Sequence, residues 1–215
     1  MLPNILRYNE TNLPRLYDML AARDEDLKNI ITTWGYPPLW LRPNTFATLV
    51  LIILEQQVSL ASAYAAYQKL ESAVSSITPE NLLVLTDSEL RACYFSRQKI
   101  AYVRGLATAL LNKQVNLETL YGQPDATVRN LLTKLKGIGD WTVDIYLIHA
   151  LQRTDVFPVG DLALVKGMIA VKHLPPNSTR ADLLALAAAW QPYRTIATLL
   201  LWHYYIQKRG IKVIA

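Results

Sequence analysis

The stretch Leu132-Thr133-Lys134-Leu135-Lys136-Gly137-Ile138-Gly139-Asp140-Trp141-Thr142-Val143 holds the residue types and spacing with the clearest chemical meaning. An apolar-periodic helix runs into Gly137-Ile138-Gly139, and a second helix starts within a few residues. Two glycines let the backbone turn sharply and approach another molecule with no Cβ in the way. The amides that open the second helix lack internal partners and present the positive end of a dipole. That is a phosphate-binding arrangement, and Lys134 and Lys136 add charge beside it. The same residues also describe a plain helix–turn–helix connection with a glycine cap, and short glycine patterns recur by chance.

Further along, Asp155-Val156-Phe157-Pro158-Val159-Gly160-Asp161-Leu162-Ala163-Leu164 places a carboxylate after a Pro-x-Gly turn and before an apolar helical run. The simplest account of Asp161 is a helix N-cap. A carboxylate held there also stays ionised near the helix dipole. Beside an apolar pocket, such a fixed anion suits stabilisation of a developing positive charge. Both readings stand on the sequence alone.

The elements that must position these residues are helical. Eight glycines are spread over 215 residues, and Leu/Ala/Ile-rich segments are divided by Pro, Asn and Thr-Asp punctuation, which predicts an all-α protein. One helical stripe is predicted over Leu13–Thr33, ended by Gly35 and Pro37-Pro38, and one long helical stretch over Thr45–Ala73. Thr78-Pro79 and Thr86-Asp87-Ser88-Glu89 read as helix starts, the second as a capping box. Further helices are predicted over Arg97–Asn112, Pro124–Leu135, Trp141–Leu151, Leu162–Lys172, Arg180–Trp190 and Tyr193–Arg209. Connections are short, so the elements form one compact body that divides into at most two lobes, with crossings before Thr45 and within Gln152–Val159.

Composition narrows the chemistry. With 52% hydrophobic and 18% charged residues the chain has ample core and is not disordered. A single cysteine, Cys93, makes no internal disulfide, Cys-based zinc site or iron–sulfur cluster. Three histidines, His149, His173 and His203, lack i,i+4 spacing, which argues against a histidine metal site. The N-terminus lacks a signal-peptide layout, and the apolar run Ala47–Leu54 is far short of the roughly 20 residues that span a bilayer. The expected setting is therefore intracellular and reducing: cytoplasm or nucleoid in a bacterium, nucleus in a eukaryote. A net charge of +5 is compatible with nucleic acid as partner without establishing it.

Taken together, Leu-x-Gly-Ile-Gly-x-Trp-Thr followed by Asp-Val-Phe-Pro-x-x-Asp resembles the helix–hairpin–helix DNA glycosylases. Ile53-Leu54-Glu55-Gln56-Gln57-Val58-Ser59 is similar to that family's helix–loop segment. Trp190-Gln191-Pro192-Tyr193-Arg194 with Leu201-Trp202 resembles its C-terminal helix entry, and Pro37-Pro38-Leu39 with Phe46 its lead-in. The likeness spans about residues 20–206 in the expected order and is strongest to the alkylation-repair branch, 3-methyladenine DNA glycosylase II.

What the resemblance implies is a two-lobed all-α fold with the active-site cleft between the lobes. One lobe would span residues 45–153 and carry the hairpin at about 132–145; residues 1–44 and 154–215 would form the other, without the N-terminal β-rich domain of larger bacterial relatives. It implies excision of alkylated purines, such as 3-methyladenine and 7-methylguanine, from double-stranded DNA by base flipping. Asp161 aligns with the catalytic aspartate. Trp141 and Trp202 align with aromatics flanking the base, and Tyr146 is placed on the same wall; each also reads as core on an apolar helix. Gln57 sits where the family inserts a wedge, and also reads as a polar loop residue. Lys134, Lys136, Gly137, Gly139 and Thr142 fall on the DNA-backbone contact, and the carbonyls of Thr133, Leu135 and Ile138 on a monovalent-cation site, Na+ or K+. Arg194 is expected to anchor a carboxylate within the protein.

The departures also inform. Trp141 stands where bifunctional members carry a nucleophilic lysine, and the clustered cysteines of other branches are absent. Both point to a monofunctional enzyme without a cluster; the resemblance further implies a monomer that needs no organic cofactor. Lys136 replaces the usual proline before Gly137, and Asp140 puts a negative charge at the hairpin tip, where it opposes phosphate unless it faces away. The rival readings are a glycosylase for deaminated or oxidised bases and a non-catalytic DNA-binding protein that uses the same hairpin.

Overall fold

A computed structural model describes residues 5–211. The described residues form thirteen α-helices: α1 (Leu13–Ala21), α2 (Glu25–Trp34), α3 (Phe46–Glu55), α4 (Leu60–Ala73), α5 (Pro79–Val84), α6 (Asp87–Ala92), α7 (Arg97–Leu111), α8 (Leu117–Leu120), α9 (Asp125–Leu132), α10 (Asp140–His149), α11 (Leu162–Val171), α12 (Arg180–Ala187) and α13 (Arg194–Arg209). A 3-10 turn over Ala188–Trp190 follows α12, and the only β pairing among the described residues is one bridge between Arg7 and Arg153. The protein is all-α.

The predicted stripe over Leu13–Thr33 is two helices. The chain breaks at Asp24, whose extended backbone and side chain cap α2 by accepting from the amides of Asp26 and Leu27. The predicted stretch Thr45–Ala73 is likewise α3 and α4, interrupted by Gln56-Gln57-Val58-Ser59, where Gln57 adopts φ +59 and Ser59 caps α4 through the amide of Ser62. In both cases apolar periodicity runs through the break because both helices bury a face, so spacing alone hides it. The predicted capping box at Thr86 is present, with Glu89 returning to the Thr86 amide at 2.7 Å.

The chain forms two compact units. The first comprises the described residues up to Leu41 and those from Leu147; the second is Arg42–Tyr146. The crossings thus fall earlier than the 44/45 and 153/154 positions read from sequence. Residues 147–153 belong with the N-terminal segment because Tyr8 Oη donates to the Ile148 carbonyl at 2.7 Å and its amide to the Gln152 carbonyl at 2.9 Å. Residues 42–44 are drawn into the second unit by two bonds from Arg42 to Glu55, at 2.9 and 2.6 Å, and by Asn44 Nδ2 on the Leu117 carbonyl at 2.7 Å.

Within the first unit, α11 packs closely against α13. A Cβ on Gly167 would lie 2.8 Å from the Leu201 carbonyl oxygen, so only glycine permits this separation. The far end of α11 is tied by Lys172, whose Nζ donates to both Asp24 oxygens, at 2.6 and 2.7 Å, and to Asp26 at 2.8 Å. Trp190 Nε1 also donates to Asp24, at 2.8 Å. Burial alone would raise the Asp24 pKa; the bonds from Lys172, Trp190 and the Leu27 amide outweigh it and hold the carboxyl below its usual value. In the second unit α3 is buried on most sides through Leu49, Val50, Ile52, Ile53 and Leu54, and forms the centre about which the other helices pack.

Two outcomes are expected. Gly167→Ala gains up to about 1 kcal/mol of helix propensity but forces α11 off a backbone carbonyl, an overpacking cost of about 1–3 kcal/mol. A net loss of Tm in thermal unfolding is expected, and an unchanged or higher Tm would show that the helices separate freely. Asp24→Asn retains the cap but loses the ion pair, costing about 1–2 kcal/mol near neutrality after allowance for solvent screening. Because the folded pKa of Asp24 is depressed, this contribution is present above the unfolded value near about 4 and disappears as pH falls through the folded value. Denaturant titrations of both proteins should therefore converge in acid; a gap that persists there contradicts the assignment.

Candidate active site

In the first unit the segment leading to Asp161 is clamped onto the start of α13. Arg194 makes a forked pair with Asp155, Nε to Oδ1 at 2.8 Å and Nη2 to Oδ2 at 2.9 Å, which is the internal anchoring expected of it. Thr195 Oγ1 accepts from the Val156 amide at 2.9 Å, and the Thr195 amide donates to the Thr154 carbonyl at 2.9 Å. A final turn closes where the Asp161 amide meets the Pro158 carbonyl at 2.7 Å.

Asp161 is the N-cap of α11, its Oδ1 accepting from the Leu164 amide at 2.9 Å. The same oxygen accepts from Trp202 Nε1 at 2.9 Å. Capping and a fixed, partly exposed carboxylate are therefore one arrangement, and the two sequence readings do not compete. The neighbouring Leu162, at the start of α11, is exposed.

Trp202 is 8% exposed. One face of its ring is covered by His149, with centroids 5.6 Å apart and planes 11° from parallel. A stacked ligand is thus left only the opposite face or the edge. His149 is held by its Nδ1 on the Trp40 carbonyl at 2.6 Å.

In the second unit the hairpin runs from the end of α9, through Thr133–Gly139, into α10. The helix predicted to reach Leu135 stops at Leu132, and the turn closes through the Ile138 amide on the Leu135 carbonyl at 3.1 Å. Gly137 has φ +91, and a Cβ there would overlap the Tyr102 ring at 2.1 Å. Its carbonyl accepts from Gln56 Nε2 at 2.8 Å, and the same nitrogen donates to Thr142 Oγ1 at 2.9 Å. The Thr142 side chain is therefore committed to bracing the hairpin and is buried, which leaves backbone contact as its only route to a phosphate. Gly139 is exposed, and a Cβ there would meet nothing within 4 Å. Lys134, Lys136 and Thr133 are exposed on the same turn.

Asp140, the discordant acid, is bonded to Arg129 Nη1 at 2.8 Å, and Arg129 also pairs with Asp144. Burial disfavours the charged guanidinium, yet the bonds to Asp144 and Asp140 more than compensate and hold its pKa above the usual value. The negative charge at the tip is thereby partly neutralised within the protein.

Of the remaining predicted residues, Gln57 is exposed at the loop tip with its left-handed backbone, beside Val58, which lines a groove of about 280 Å³ with Leu54, Ala63, Tyr94 and Lys99. Trp141 is partly exposed at the start of α10. Tyr146 is 0% exposed and its hydroxyl donates to Asn44 Oδ1, so it offers no ring face to a ligand and serves helix packing, which corrects its placement on the pocket wall. Three residues escaped the sequence reading: Gln56, Arg129 and His149. Gln56 carried a usable signal, since a polar pair at a helix end rarely points the same way; the other two act through partners distant in sequence.

The chain is similar to several known proteins. The family model described as HhH-GPD superfamily base excision DNA repair protein matches residues 50–192. DNA-3-methyladenine glycosylase 1 of Schizosaccharomyces pombe is 29% identical over 203 residues, covering 89% of this chain and 87% of the relative. Among solved structures, a Schizosaccharomyces pombe 3-methyladenine DNA glycosylase in complex with abasic DNA superposes with a TM-score of 0.80 at 28% identity, covering 87% of this chain and 95% of that one. A DNA-3-methyladenine glycosidase from Bacillus halodurans gives 0.76 at 32% identity, covering 96% and 95%. With its hairpin and its capped aspartate both inside a match of more than half its length, the chain belongs to the HhH-GPD superfamily of base excision DNA repair proteins.

Proposed function

We propose that this protein is a monofunctional DNA glycosylase that hydrolyses the N-glycosidic bond of alkylated purines, of the 3-methyladenine and 7-methylguanine type, in duplex DNA. The observation that carries this reading is the Asp161 carboxylate, held by a helix amide and an indole N–H in a chain similar to enzymes named for that activity.

An alkylated purine bears a positive charge, so its bond to C1′ is weak and the base leaves as a neutral molecule with the bonding electron pair. Strong protonation of the leaving base is unnecessary. The enzyme must extrude the nucleotide, at a cost of a few kcal/mol that is smallest for damaged bases. A tryptophan face returns on the order of 1–2 kcal/mol against a cationic ring in a dry pocket, a role assigned to Trp141 and Trp202. Positive charge then develops on the sugar, and Asp161 stabilises it until water adds at C1′. Products are the free base and an abasic site.

DNA enters this reading through the hairpin. Exposed Gly139 lets a phosphate reach the backbone, Lys134 and Lys136 supply charge, and Gln57 fills the space left by the flipped nucleotide. Its φ of +59 is a backbone conformation that side-chain-bearing residues rarely adopt, and such conformations cluster at working sites. The carbonyls of Thr133, Leu135 and Ile138 are neutral oxygen donors without a carboxylate among them, a set suited to Na+ or K+ rather than a divalent ion. A cation there would add positive charge beside the phosphate. No organic cofactor is invoked, and the protein acts as a monomer. Trp141 takes the place of the lysine needed for strand cleavage, and Lys134, Lys136 and Lys166 are all exposed rather than desolvated as a nucleophilic amine would be.

On methylated duplex DNA, Asp161→Asn should lower base release by about 10²–10³-fold while leaving duplex affinity intact. Chromatography of the liberated bases reads both rate and lesion range, and near-wild-type release by the variant would sink the proposal. Borohydride during turnover should trap no covalent adduct, and strands should break only after alkali; an adduct or spontaneous breaks would make the enzyme bifunctional. Gly139→Val should weaken binding to damaged and undamaged duplex alike, with a shallower salt dependence, each lost phosphate contact removing about 0.9 from the log–log slope. Unaltered binding to undamaged duplex would move the phosphate contact elsewhere.

A further inference from the structure

We propose that His149 is a positioning residue for the Asp161 carboxylate and acts through the indole of Trp202. The inference rests on the reading of Asp161 as the group that stabilises the sugar cation. Among the donors to Asp161 Oδ1, the Leu164 amide is fixed by the first turn of α11. The Trp202 Nε1–H, in contrast, belongs to a side chain, and rotation of its ring would carry the donor away from the oxygen.

His149 removes that freedom. Its ring lies nearly parallel to the indole at 5.6 Å and is itself 7% exposed, so the indole face is closed against a second buried ring. The histidine is fixed in turn. A carbonyl oxygen only accepts, so the 2.6 Å contact to Trp40 makes Nδ1 the protonated nitrogen and sets the ring's orientation. The result is a chain of three directed contacts: Trp40 carbonyl, His149 ring, Trp202 ring, Asp161 carboxylate. All of these residues lie in one compact unit. Packing alone would be served as well by an apolar ring at position 149, since a buried imidazole incurs a desolvation cost that the Trp40 carbonyl must offset. The polar tether is what a phenyl ring lacks.

The test separates positioning from general support of the fold. Single-turnover release of 7-methylguanine from a methylated duplex is measured for the wild type, Trp202→Phe, His149→Phe, His149→Asn and the two double variants, with duplex affinity and Tm alongside. Trp202→Phe removes the indole donor and should slow release by about 10-fold, the scale of one hydrogen bond to a charged group. His149→Phe keeps the stack without the tether, and His149→Asn keeps a donor without the stack. Each should slow release by about 3- to 10-fold with duplex affinity unchanged, and neither should slow it further when Trp202 is already Phe. Equal slowing in both backgrounds, or no slowing in either, overturns the inference. A loss of Tm that acts on catalysis through the fold falls under the first of these, because it affects both backgrounds alike. Asp161→Asn run in parallel distinguishes the failures. If it releases base normally, the functional reading falls; if it is inactive while the His149 effects are additive, only the positioning role falls.

Discussion

The distance between α11 and α13 is the constraint on which the arrangement around Asp161 depends. It is set where Gly167 meets the Leu201 carbonyl, an approach that no side chain permits. Trp202 is the next residue on α13, and Asp161 caps α11, so the separation that Gly167 allows is also the one that brings an indole N–H to 2.9 Å from the carboxylate. Hydrogen bonds are steep in distance and angle. A shift of a few tenths of an ångström at the helix crossing, negligible for apolar packing, is enough to weaken the contact that orients Asp161. The forked Arg194–Asp155 pair and Lys172 on Asp24 serve the same end, one fixing the approach to Asp161 and the other the far end of its helix.

An aspartate at a helix N-cap is commonly explained by stability alone, at about 0.5–2 kcal/mol. Here the same bond also serves the role proposed for Asp161. The Leu164 amide donates to the carboxylate and helps to fix its orientation at the helix start, where the dipole favours a negative charge. The capping bond and the indole bond fall on the same oxygen, so a helix amide and a buried ring both act on one atom of the carboxylate. In the proposed mechanism such preorganised charge costs no reorganisation when the sugar cation forms, which is the basis of electrostatic catalysis.

Much of this was legible in the sequence, and the misreadings have physical causes. Helix content, the hairpin, the capping box at Thr86 and the position of Asp161 all follow from local residue chemistry, which acts over three or four residues. The breaks at Asp24 and Gln57 were missed because apolar periodicity continues across them, and what decides a break is the cap rather than the stripe. Tyr146 was misplaced because an aromatic on an apolar helix has the same signature whether it faces a pocket or Asn44. His149 and Arg129 act on Trp202 and Asp140, partners far enough away in sequence that no local pattern connects them, whereas the Gln56–Gln57 pair at a helix end was a local signal for the bond to Gly137.

The hairpin shows how intramolecular demands can be separated from those made by a partner. Gly137 has an internal cause: its positive φ, and a Tyr102 ring that occupies the space of a Cβ. Gly139 has neither, since its φ is ordinary and its missing Cβ faces open space. Adjacent Gln56 and Gln57 divide in the same way. Gln56 spends its amide on Gly137 and Thr142 and so braces the turn, while Gln57 is exposed, with a left-handed backbone, in the α3–α4 connection. Arg129 completes the separation by binding Asp140 from within, which reduces the repulsion between the tip and an approaching anion. In each pair one member is accounted for by the protein itself. The other is left with its exposed surface directed outward, and an outer surface of backbone amides and lysines on this turn is complementary to a phosphate chain.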